Sequence, residues 1–288
     1  MEKIYSAIMG LVVGDALGVP YEFRKRGTFR ATDMVGGGTY GLPKGTWSDD
    51  SSMTLATMES IYQMGGRIDR EDIMHNFVRW LCHGHFTPYE RAFDVGNTTR
   101  TAIARYLDYR PLDSCGGREI TDNGNGSLMR ILPLAFLDCT DDDVCGVSAL
   151  THGHDIAKAV CVNYVKYARL LLAGEDKRMA AIDLNQDYIA GYRKQDIRSG
   201  GYVVDTFQAA LWCFLTTDSY REAVLKAVNL GEDTDTVAAV CGGLAGIYYG
   251  VGGDKGIPTE WIDKIARRDW IAGLCDRFAK SINGRKED

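Results

Sequence analysis

NLGEDTDTVAAVCGGLAGIYYG, residues 229–250, crowds three acids against the start of an apolar segment and then supplies small residues at once. The apolar part predicts a helix over 235–249. On such a helix Ala238, Ala239, Gly242, Gly243 and Gly246 let neighbouring helices approach closely, which would hold the side chains at its acidic end in place.

Working outward, apolar residues recur at three and four positions through most of the chain, and strand-like alternation is rare. Met53, Ala56, Met58, Ile61 and Tyr62 predict a helix after Asp50, and Ile73, Phe77, Trp80 and Leu81 another from about Arg70. Further helices are expected over roughly 90–108, 127–138, 141–150, 154–173, 178–190, 203–215, 219–229 and 269–283. A first, buried helix is expected to end at Gly14–Asp15. The Gly-rich stretches 26–50 and 113–127 lack the helical period and read as functional loops, because both end in polar residues that enter an apolar helix. No repeat, low-complexity tract or linker marks a boundary. The expectation is therefore an all-α single domain over residues 1–288.

The 288 residues, 45% of them hydrophobic, suffice for a sizeable core. A formal charge of -6, with Lys and Arg scattered, argues against a nucleic-acid or anionic-membrane binder. The eight cysteines show no CxxC or zinc spacing and read as reduced thiols, so a cytoplasmic protein is expected. Apart from the N-terminal run, interrupted by Asp15, nothing approaches the roughly 20 apolar residues of a membrane span.

Four stretches set glycines or small residues beside oxygen and nitrogen ligands at probable helix ends: GLVVGDALGVPYEF with Asp15 and Glu22, GTWSDDSSM with Ser48, Asp49 and Asp50, TDNGNGSLMR with Asn123 and Asn125, and the stretch at 229–236. Ser, Asp and Thr before apolar runs are ordinary N-caps. Capping needs one acceptor, however, whereas Ser48-Asp49-Asp50 offers three and Asp233-Thr234-Asp235-Thr236 four. Adjacent carboxylates repel unless something positive lies between them, and Mg²⁺ or Mn²⁺ takes such oxygens in octahedral geometry. One ion or a pair fits two clusters. The spacing is not that of an EF-hand. The Gly-Asn-Gly stretch suits either a tight turn or a phosphate cradle. His152 and His154 are either structural or donors beside such a site, and His83 and His85 receive no role.

Taken in order, these stretches, with LTH at 150–152, resemble the ADP-ribosylglycohydrolase family over residues 4 to about 250. The resemblance implies an orthogonal helical bundle, two Mg²⁺ or Mn²⁺ ions, and hydrolysis of the glycosidic bond at C1″ of ADP-ribose. It implies Ser48, Asp49, Asp50, Asp233, Asp235 and Thr236 as metal ligands, and Glu22, Asp233 and Asp235 as catalytic groups. It further implies Asp15, Gly124, Asn125, Gly126, Ser127, His152, Gly201 and Tyr202 as substrate-binding residues. Two positions depart from the pattern: Ser48 replaces the more usual Thr, and Glu232 stands where many members have Gly or Asp, facing solvent in the favoured reading. The expected substrate is an ADP-ribosylated protein side chain, arginine favoured. Alternatives are a small ADP-ribosyl conjugate or another N-glycoside, a non-catalytic crystallin-like binder, or, as the one nucleic-acid role, an ADP-ribosylated base.

Overall fold

In the computed structural model, which describes residues 2–284, the apolar runs become helices: α1 (Glu2–Gly18), α2 (Asp49–Gln63), α3 (Arg70–His83), α4 (Asn97–Leu107), α5 (Asp141–Ser148), α6 (Asp155–Leu172), α7 (Lys177–Asp183), α8 (Val203–Leu215), α9 (Tyr220–Val228), α10 (Thr234–Tyr249), α11 (Thr259–Ile262) and α12 (Arg268–Asn283). Among the described residues β-pairing is confined to isolated bridges, so the fold is all-α.

The centre is an antiparallel seam between α1 and α10. A Cβ added to Gly10 would overlap the carbonyl of Gly242, one on Gly14 that of Ala238, and one on Gly18 the backbone of Asp235. At the other end of the seam Gly246 lies as close to Ser6. Small residues every four positions thus let two backbones touch, as expected for 238, 242 and 246. Tyr220 donates its hydroxyl to Gly10 O at 2.6 Å, and Thr234 its own to Gly18 O at 2.8 Å, which fixes the register at the acidic end. α8 and α9 pack on α10, while α2 and α12 pack on each other beside α1. α1 is long and apolar enough to cross a bilayer, but 89% of its apolar window is buried inside the protein.

Four expected boundaries shift, each for a local reason. α1 does not stop at Gly14–Asp15 but runs to Gly18, because Gly14 serves as a contact point rather than a terminator. The helix expected over 90–108 starts only at Asn97, behind a segment turned by the positive φ of Glu90 and Asp94. The helix expected over 127–138 is two 3₁₀ turns, Leu128–Arg130 and Leu132–Phe136, interrupted where Pro133 supplies no N–H. The helix expected over 178–190 ends at Asp183, and a 3₁₀ turn at Asp187–Gly191 follows Asn185 at φ 54°.

Candidate active site

The seam delivers Asp15, Asp235 and Thr236 to one end of the bundle, and α2 is docked beside them. Trp47, fully buried, donates its indole N–H to Ala266 O at 3.0 Å. The next residue, Ser48, donates its backbone N–H to Asp15 Oδ1 at 2.9 Å, and Ser51 N–H reaches Asp15 Oδ2 at 3.0 Å. Ser51 Oγ donates to the same carboxylate. Asp15 is thereby committed to holding the start of α2, although its carboxylate lies within 4.8 Å of those of Asp50 and Asp235. Burial pushes Asp15 up to about 6, against the lowering effect of these donors.

Capping explains little of the acidic surplus. Ser48 is the N-cap of α2 and accepts from Asp50 N at 3.4 Å, while Asp233, the N-cap of α10, makes no side-chain cap bond. Instead Asp233 Oδ2 accepts from Asn125 Nδ2 at 2.8 Å. Ser48 Oγ donates to Asp50 Oδ2 at 3.0 Å, and Thr236 Oγ1 approaches the same oxygen at 3.4 Å. Asp50 Oδ1, Asp235 Oδ2 and Glu22 Oε2 are buried with no hydrogen-bond partner. A second acid group overlaps the first: Glu22, Asp94 and Asp235 also bring one oxygen each within 4.8 Å of one another.

Burial, then neighbouring carboxylates, push Asp49, Asp50 and Asp235 well above the usual carboxylate range. Asp233 is raised by burial in spite of its hydrogen bonds. Glu22 is raised to about 10 by burial and then by Asp94. Among the described residues no Lys, Arg or His forms an ion pair with any of these acids. Orphaned carboxylate oxygens, two hydroxyls and a charge excess without a counter-ion make a hard-oxygen set that fits a divalent cation.

Above this floor opens a cleft of about 340 Å³. Glu22, Asp49, Asp94, Asp233 and Thr236 line it, together with Gly124, Asn125, Gly126, His152 and Gly201, and Gly96–Thr99 at the start of α4. Ser48, Asp50 and Asp235 lie beneath the floor at 1% exposure each. Asp94 is the acid in the lining that sequence reading did not single out, and Gly96–Thr99 beside it were not expected either. Asp94 sits in a segment without a motif, and its φ of 57° was the local feature that could have singled it out only once the backbone was known.

Glu22 is held by a backbone exchange: Phe23 N–H donates to Glu232 O at 2.8 Å and Glu232 N–H to Arg24 O at 2.9 Å. Both Phe23 and Glu232 have positive φ, 63° and 65°, which gives a physical reason for glycine or a short acid at position 232. The Glu232 side chain is exposed, as favoured from the sequence.

Asn125 N–H donates to Gly201 O and Val203 N–H to Asn123 O, both at 3.0 Å, tying the Gly-Asn-Gly loop to the start of α8. Asn125 Nδ2 also donates to Thr206 Oγ1 at 2.9 Å, so its amide is oriented from two sides. Three residues expected to bind substrate are not brought to the cleft surface: Asp15, fully buried, spends its carboxylate on Ser48 and Ser51, and Ser127 and Tyr202 also lie outside the lining. Ser127 is fully buried and accepts from Ser148 Oγ at 2.9 Å, and Tyr202, 41% exposed, caps α8 outside the lining. His154 accepts from Ile156 N at 3.2 Å as the N-cap of α6, a structural role, and His85 meets Arg79.

The sequence profile described as ADP-ribosylglycohydrolase matches residues 1–288. An ADP-ribosylarginine hydrolase of Serratia proteamaculans is 34% identical, covering 96% of this chain and 79% of its own. An ADP-ribosyl-[dinitrogen reductase] glycohydrolase of Rhodospirillum rubrum is 31% identical, covering 92% of this chain and 90% of its own. A solved ADP-ribosylglycohydrolase-related protein complex superposes with a TM-score of 0.82 at 31% identity, over 97% of this chain and 98% of that one.

Proposed function

The chain belongs to the ADP-ribosylglycohydrolase family, and from that premise we propose that it releases ADP-ribose from a modified arginine side chain, with two Mg²⁺ or Mn²⁺ ions held by Ser48, Asp49, Asp50, Asp233, Asp235 and Thr236. One observation carries the reading: Glu22, Asp49, Asp94 and Asp233 all line one cleft whose described lining has no lysine or arginine. Such a lining offers carboxyl oxygens as acceptors and no competing cation, which suits a guanidinium aglycone. The relatives named for ADP-ribosylarginine and for dinitrogen reductase support the same choice.

The diphosphate of the substrate needs donors that are not side-chain cations. α4 opens at Gly96 without a side-chain cap, so its first backbone N–H groups are available, and the Gly-Asn-Gly wall lets a ligand approach the main chain. Divalent ions held by these residues would supply Lewis-acid stabilisation of developing charge and would lower the pKa of a bound water. Cleavage needs a proton for the leaving nitrogen and a base for water on C1″. Glu22, held protonated by burial and by Asp94, gives its proton to the leaving guanidine nitrogen as the C1″–N bond breaks. Asp233 orients the water and accepts its proton. It lines the cleft while Asp235 lies below the floor, and Asn125 fixes the oxygen it presents. The proposal takes residues 1–288 as one domain working in a reducing compartment, consistent with eight unpaired thiols.

The test is release of ADP-ribose from ADP-ribosylated arginine, serine and cysteine proteins and from an ADP-ribosylated nucleic acid, with Mg²⁺ and Mn²⁺ supplied separately. Turnover of the arginine substrate and its loss in Asp233→Ala are expected. Wild-type turnover by that variant, or preference for another acceptor, sinks the reading.

A further inference from the structure

Arg130 is a buried charge for which the chemistry above has no use. Its side chain is 0% exposed, lies over the Phe77 ring at 4.6 Å, and leaves Nε and Nη1 without partners. Among the described residues no acid pairs with it, so its burial is costly and requires a reason. Its polar contacts are Nη2–H donated to Val147 O at 3.2 Å and to Thr151 Oγ1 at 2.9 Å.

Thr151 is itself fully buried, and its hydroxyl oxygen already accepts from Arg130, which is always a donor. The oxygen keeps a second lone pair, but the buried hydroxyl proton needs an acceptor, and the one within reach among the described residues is His152 Nδ1 at 2.8 Å, so the hydroxyl donates to it. An imidazole that accepts at Nδ1 carries its proton at Nε2. That edge lies along the Gly-Asn-Gly wall of the cleft, whose lining includes His152: a Cβ on Gly126 would come within 2.8 Å of His152 Cε1, and one on Gly124 within 3.4 Å of Nε2. The ring's own backbone is pinned, with His152 N–H donating to Ser148 O at 2.9 Å and Gly153 N–H to Gly117 O at 2.7 Å. Burial, then the Arg130 charge, push the imidazole down to about 3, so it stays neutral around pH 7.

We infer that Arg130, acting through the Thr151 hydroxyl, fixes His152 as the Nε2–H tautomer and so presents a hydrogen-bond donor to an acceptor oxygen of the ligand in the cleft. Arg130 and Thr151 are positioning residues. The inference rests on the reading that the cleft holds an ADP-ribosyl group, whose phosphate and sugar oxygens are acceptors.

The tautomer can be read without substrate. The full chain labelled with ¹⁵N-histidine gives long-range ¹H–¹⁵N patterns for its five histidines, and His152→Gln assigns the signal of interest. Wild type should show one Nε2–H pattern. Thr151→Val should release the ring into a mixture or the Nδ1–H form and weaken ADP-ribose binding, measured calorimetrically, about 3- to 10-fold. Thr151→Ser should restore pattern and affinity. Folded Arg130→Met should also admit the Nδ1–H tautomer, because the hydroxyl oxygen then loses the charged donor that turns its proton toward Nδ1. A wild-type Nδ1–H pattern, or an unchanged Nε2–H pattern in Thr151→Val, overturns the inference. An unchanged pattern in folded Arg130→Met removes Arg130 from it, and the Thr151 pair decides if that variant does not fold. Failure of wild type to hydrolyse ADP-ribosylarginine while these spectra hold would instead count against the proposed function alone.

Discussion

Asn125 donates its amide to Asp233 Oδ2 across 2.8 Å, and that bond takes the N-cap aspartate of α10 away from its own helix and turns it toward the cleft. Asn125 is on the loop before the first 3₁₀ turn of residues 128–130, 108 positions away. Asn125→Ala leaves Asp233 free to swing back onto the α10 amides. The expected result is a fall in kcat of about 10- to 100-fold, with a smaller change in KM, seen in steady-state release of ADP-ribose. An unchanged kcat would mean that the orientation of Asp233 is immaterial.

Asp94 stands second to burial among the causes that raise Glu22. Asp94→Asn removes that charge, so Glu22 ionises at lower pH. With Glu22 as the proton donor, the alkaline limb of kcat/KM against pH should move toward acid. A limb that stays where it is in wild type would take Glu22 out of the acid role.

The buried acids also make stability depend on pH in a definite direction. Folded values of about 6 for Asp15 and about 10 for Glu22 lie above their ordinary values, so the folded protein binds more protons than the unfolded chain. Stability from this source is complete at pH below about 4 and is lost as pH rises toward 6 for Asp15 and 10 for Glu22. In a chelator, the melting temperature should fall between pH 5 and pH 8. Millimolar Mg²⁺ or Mn²⁺ at pH 8 should raise it again by binding only the folded form. Equal melting temperatures with and without both ions at pH 8 would contradict the cation assignment.

The α1–α10 seam separates stability from activity along its length. Gly10→Ala and Gly18→Ala each force a methyl into the opposing backbone, with an expected cost of about 1–3 kcal/mol in denaturant unfolding. Gly18 faces Asp235 itself, so Gly18→Ala should also lower kcat of the folded protein, while Gly10→Ala should not. If both variants keep wild-type kcat, the seam does not position the acids.

Much of the site was legible because its signals are local. The acids of 48–50 and 233–236 exceeded what capping uses, and in the structure Ser48 alone makes a side-chain cap bond while Asp50 and Asp235 keep orphaned oxygens. Gly124 and Gly126 were notable as glycines before an apolar run, and they lie against His152. Position 127 misled because a hydroxyl after Gly-Asn-Gly looks the same in sequence whether it faces a ligand or, as here, Ser148.

The sequence by itself determined that the chain is helical, that acidic clusters stand at helix starts in excess of capping, and which family it belongs to. These follow from periodicity, composition at helix ends and contiguous motifs, all properties of neighbours along the chain. Only the tertiary structure decided which carboxylates share one space. Asp15 became a brace under α2 because Gly14 and Gly18 let α1 run on against α10, and Asp94 joined Glu22 because its segment turns back over the cleft. It also decided the fate of Arg130, whose neighbours Phe77, Val147 and Thr151 come from other elements. The physical reason is common to all three: electrostatic and hydrogen-bond effects depend on distances of a few ångströms, which chain positions tens of residues apart acquire only when the helices pack.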